Sequence, residues 1–72
     1  MKTNPKLLDV VALTEDLPER GLSRGQVGTI VEELAPDVFE VEFCDDYRRK
    51  YGTLALNCGQ LMVLHYRPSE VA

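Results

Sequence analysis

Tryptophan is absent from this 72-residue chain, histidine occurs once and cysteine twice. The one imidazole, His65, has no nucleophile, carboxylate pair or cysteine cluster tied to it by motif. It reads as a strand-end residue rather than a general base or metal ligand. Cys44 and Cys58 lack a CxxC spacing, so they mark neither a metal centre nor a redox site, and two thiols make no disulfide framework. Reduced cysteines are expected. Long apolar runs are missing as well: none approaches the ~20 residues of a membrane-spanning helix. The N-terminus reaches Asp9 after only Leu7 and Leu8, which is no signal-peptide core. The expectation is a cytoplasmic protein without membrane attachment.

Positive charge is the next scarcity. The chain has eight Lys and Arg against twelve Asp and Glu, for a formal net charge of −4. Between Arg24 and Arg48 there is no cation at all, while Glu32, Glu33, Asp37, Glu40, Glu42, Asp45 and Asp46 all fall there. A phosphate backbone is repelled by such a region. The remaining composition is that of a folded domain, 44% hydrophobic and 28% charged. At this length one domain with one thin core is expected, burying roughly 60% of the surface its unfolded chain exposes.

What is present is a series of short β-type segments. Leu7 to Thr14, "LLDVVALT", is rich in valine and leucine and is stopped by "EDLPERG". Glu15 to about Gly25 reads as a long connection, punctuated by Pro18 and Gly21. Gln26 to Leu34 carries the β-branched Val27, Thr29, Ile30 and Val31. Gly28 within it suggests a bulge or a close backbone approach. Ala35 to Asp37 is a turn set by Pro36. Val38 to Phe43, "VFEVEF", then alternates Phe39, Val41 and Phe43 against Glu40 and Glu42, which places the two sets on opposite faces. After a turn at "CDDYRRK", "YGTLALN" is a fourth strand. Asn57 to Gly59 is a break suited to a 3₁₀ turn, and Gln60 to His65 is the last strand. Helical alternatives exist for Leu54 to Leu64 and Leu7 to Leu13. Gly59 and Asn57 weigh against the first by roughly 1 kcal/mol or more, and Val10–Val11 with Pro18 against the second. Five short strands suit a small, strongly bent antiparallel barrel. The tails are assigned to residues 1–6 and 67–72, with the barrel domain at 7–66.

Three stretches, "LLDVVALTEDLPERGLSRGQVGTIVEEL", "FEVEF" and "TLALNCGQLMVLH", resemble the bacterial family called domain of unknown function 4926. The resemblance implies an all-β, five-stranded SH3-like barrel with a long first loop. It supplies no catalytic, cofactor or metal residues to carry over. It also implies a neighbourhood of candidate toxin genes in toxin–antitoxin-like pairs. "GQVGTIV" is more loosely similar to the opening strand of KOW-type barrels, which are usually attended by lysine and arginine. Here acids follow instead.

Two surfaces compete as binding sites. Glu40 and Glu42 share a strand face, with Glu32 expected on the neighbouring strand. They form either an ordinary solvated face or a docking surface for a basic protein, the reading preferred here. Exposed strand edges offer such a partner a second route. The alternative is nucleic acid at Arg48, Arg49 and Lys50, flanked by Tyr47 and Tyr51 for stacking. Asp45 and Asp46 beside that triplet weaken its electrostatic footprint. They read as solvated turn residues rather than a metal or acid/base pair. Ser23 and Ser69 lack a nucleophile motif, and Gly25 and Gly28 lack the lysine and helix of a phosphate loop. No enzyme and no cofactor is expected. A third possibility is a structural subunit of a larger complex. Oligomeric state is not legible.

Overall fold

The computed structural model describes residues 5–44 and 50–65. β3 (Val38–Cys44) is where the sequence leaves the chain least freedom. Phe39, Val41 and Phe43 are buried, and Glu40 and Glu42 stand half-buried on the opposite face. The apolar side of β3 is covered by Ile30 of β2 (Val27–Ala35), Leu56 of β4 (Lys50–Asn57), Val11 and Leu13 of β1 (Val10–Leu13) and Leu61 of β5 (Leu61–Val63). These residues form one core, and among the described residues no polar or charged one is buried.

All five strands are antiparallel neighbours in one sheet, in the order β4-β3-β2-β1-β5. The fold is therefore all-β, as the turn spacing and the family resemblance imply. β4 and β5 stay at the two edges and do not pair, so the sheet is not closed into a complete barrel. A 3₁₀ turn, Cys58–Gln60, separates β4 from β5 and removes the helical alternative over Leu54 to Leu64. The turn is self-capped: Asn57 N–H donates to Gln60 Oε1 at 3.0 Å, and the Asn57 side chain accepts the Gln60 backbone N–H. Among the described residues, no helix is long and apolar enough to cross a membrane.

The first connection is less loop-like than its proline and glycines suggest. Leu17 and Leu22 exchange backbone hydrogen bonds of 2.9 and 3.1 Å around a 3₁₀ turn at Pro18–Arg20, and both leucines are buried in the core. The start of this connection is anchored to the second 3₁₀ turn, where Thr14 Oγ1 donates to Gly59 O at 3.0 Å and Gln60 Nε2 to Glu15 Oε2 at 3.2 Å. A segment of this length is thus held by apolar burial inside and polar stitching outside.

β1 is shorter than the Leu7 to Thr14 run expected from residue preference. Leu7 and Leu8 instead form a turn in which Asp9 N–H donates to Lys6 O at 3.0 Å, and Lys6 N–H to Asp9 Oδ2 at 3.0 Å. Leu8 takes a left-handed backbone, φ 70°, with its own N–H bonded to Ile30 O at 2.8 Å. Its side chain is 71% exposed, so strain at this non-glycine residue is not repaid by burial. β5 is likewise shorter than Gln60 to His65, because the 3₁₀ turn takes Gln60; Leu64 N–H still reaches Val10 O at 2.9 Å.

Gly28 fixes the separation of β2 and β3. A Cβ there would lie 2.7 Å from Val41 Cγ1, 2.9 Å from Glu42 O and 2.9 Å from Phe43 Cδ1. The close approach expected from this glycine is present, and the core side chains of β3 fill the space.

Two measurements check these points. Gly28→Ala should lower stability by about 2 kcal/mol in chemical denaturation, because the added methyl meets backbone and packed core rather than free space. Leu8→Gly should leave stability unchanged or raise it by up to about 1 kcal/mol, since relief of the left-handed strain outweighs the added chain entropy. A clear loss of stability in Leu8→Gly would show that the turn does not hold Leu8 in this conformation.

Candidate functional site

Strand register places the acids. Glu40 lies directly opposite Glu32 on β2 and Ala55 on β4, and Glu42 lies opposite Thr29 and Thr53. Glu32 reaches this face only through a break in alternation. Counting by twos from the buried Ile30 would point Glu32 into the core, but the register shifts between Ile30 and Glu32. The irregularity reverses the phase of the strand, moves the carboxylate out and leaves Val31 exposed.

The Cβ atoms of directly opposed residues stand roughly 4.5–5.5 Å apart, and like charges there work against folding. Among the described residues Lys6 pairs with Asp9 at 3.9 Å, and no cation is placed between Glu32 and Glu40. Three carboxylates thus sit in two adjacent rows of the outer face, flanked by the small side chains Thr29, Thr53 and Ala55. Such a surface can receive ammonium or guanidinium groups. Reading residues alone missed Thr29, Thr53 and Ala55 as its borders. The alternation of Thr53 and Ala55 with the inward Leu54 and Leu56 was the available signal.

The other candidates are not drawn together. His65 is exposed beyond the end of β5, Ser23 is exposed in the first connection, and Gly25 occupies a left-handed turn at φ 91° with no helix after it. Among the described residues there is no group of three or more His, Cys, Asp and Glu placed to hold a metal ion. Asp45, Asp46, Tyr47, Arg48, Arg49, Tyr66 and Ser69 lie outside the described residues, and Lys50 enters β4 opposite Cys44. Cys44 and Cys58 are free thiols at opposite ends of the β3–β4 hairpin. Six residues of strand place the two ends about 20 Å apart, well beyond the reach of a disulfide.

Searches of curated proteins and of solved structures give no match to the chain. The model of one family, described as Domain of unknown function (DUF4926), matches residues 7–63, from the turn before β1 to the end of β5. That span takes in the whole described sheet, the buried core and all three face carboxylates. The chain belongs to the DUF4926 family.

Proposed function

We propose that this protein is a non-enzymatic binding module whose outer sheet face, at Glu32, Glu40 and Glu42, docks a basic protein. The observation that carries this reading is the direct opposition of Glu32 and Glu40, produced by a break in β2. A sheet selected for stability alone gains from opposite charges at such a pair. Carboxylates kept together there suit a cationic partner. Electrostatic complementarity of this kind raises association rate and rejects wrong partners more than it adds raw affinity. The same field repels phosphate, which favours a protein partner over RNA or DNA. The most specific form of the proposal is an antitoxin-like role, in which the face covers the cationic cleft of a toxin. The long cation-free span from Gly25 to Tyr47 supports it.

Two outcomes are expected. Glu32→Gln and Glu40→Gln should each raise stability by a few tenths of a kcal/mol at low salt, with the gain shrinking as salt is added and the double variant gaining little more than either single. Pull-down from the native host should recover a basic protein at low salt. Glu32→Lys/Glu40→Lys should lose that protein while keeping the wild-type thermal transition. Equal recovery by both forms would dismiss the acidic face as the docking surface.

A further inference from the structure

The acidic rows do not end at a polar border. Along the outer face of the sheet, Thr29 of β2 is opposite Val10 of β1. Two residues earlier on β2, about 6–7 Å along the strand, Val27 is opposite Ala12, which is in turn opposite Met62 of β5. Val27, Ala12 and Met62 therefore form one row across three strands. Val27 is 48% and Met62 55% exposed. Ala12 is only 4% exposed, yet it is not part of the core cluster that holds its neighbours Val11 and Leu13. Its register places it on the outside, between those two larger side chains. The row is a shallow notch, with Ala12 as its floor and Val27 and Met62 as its walls.

Single exposed apolar residues are ordinary on a protein surface, and a contiguous set is not. The notch also continues into the carboxylate rows without a gap, since Glu42 is opposite Thr29 and Thr29 is one pleat away from Val27. Methionine as one wall adds a side chain that adapts to differently shaped apolar groups. An apolar notch bordered on one side by carboxylates fits one kind of ligand: a segment carrying cations along one part and an apolar side chain beside them. A purely cationic polypeptide would leave the notch wet, and an uncharged one would leave the opposed Glu32 and Glu40 without a counter-charge.

We propose that the docking face extends from Glu32, Glu40 and Glu42 onto the Val27–Ala12–Met62 row, and that its occupant is a cationic amphipathic segment of a partner protein. This rests on the reading of the acidic face given above and specifies the partner's chemistry: the apolar side chain gives affinity, and the cations give rate and orientation.

The test uses two fluorescein-labelled lysine peptides of equal length and charge, one carrying leucines and the other serines in their place, with binding followed by anisotropy. The leucine peptide should bind about tenfold more tightly, the gain from burying much of one such side chain. Val27→Thr/Met62→Gln changes only exposed positions; it should erase that preference and leave the serine peptide's affinity as it was. Glu32→Lys/Glu40→Lys should weaken both peptides. Equal binding of the two peptides, both weakened by the lysine variant, would overturn the extension and leave the acidic reading standing. A leucine preference that survives Val27→Thr/Met62→Gln would also overturn it. Binding that ignores the lysine variant would remove the acidic reading, and the extension with it.

Discussion

The contact between Gly28 and the inner side of β3 is the constraint on which the rest of the structure depends. Val41 and Phe43 press against a residue without a side chain, so β2 and β3 approach closely and the sheet can coil around a single core. In a chain this short no second layer is available, and the same five strands must supply both the inside and the outside. Once Phe39, Val41 and Phe43 are committed inward, the pleat leaves Glu40 and Glu42 no other place than the outer face. The choice between core and surface is thus made residue by residue along β3, and the surface chemistry follows from it.

The break in β2 has the opposite character. A regular strand would have carried the next inward position to Glu32, and the break keeps its carboxylate out of the apolar core. The irregularity also aligns a second carboxylate with Glu40 and exposes Val31, two local costs that accompany it. Sheets commonly use such irregularities to re-aim a side chain, and local departures from the stable choice concentrate where proteins bind. On the function proposed above, the opposed carboxylates serve a ligand as well as the fold. On the β1–β2–β5 side the same face turns apolar, so its two halves are complementary in kind: one long-ranged and salt-sensitive, the other short-ranged and dependent on fit.

Much of this was legible in the residues, and the exceptions have physical causes. The alternation in "VFEVEF" fixed one strand and its two faces, because aromatic and acidic residues differ so sharply in their preference for water. Pro36 marked the β2–β3 turn, where Asp37 takes a left-handed φ of 65°. Leu17 and Leu22 were hidden by the turn signals around them: Pro18 and Gly21 describe the local backbone and say nothing of the core beneath it. Leu8 was unreadable because a left-handed turn normally announces itself with glycine or asparagine, and here it does not. The outer apolar row escaped notice because Ala12, Val27 and Met62 come from three separate strands, each apolar residue looking like core until the register is known.

The central claim, that the carboxylates of β2 and β3 select a cationic polypeptide, is tested most directly by following backbone amide resonances of the folded protein during titration with a lysine-rich peptide and, separately, with a single-stranded oligonucleotide. The account predicts peptide-induced shifts at Thr29, Glu32, Glu40, Glu42 and Thr53 that fade with added salt, and no matching response to the oligonucleotide. Shifts on that face caused by the oligonucleotide, or peptide-induced shifts confined to residues elsewhere in the chain, would contradict it.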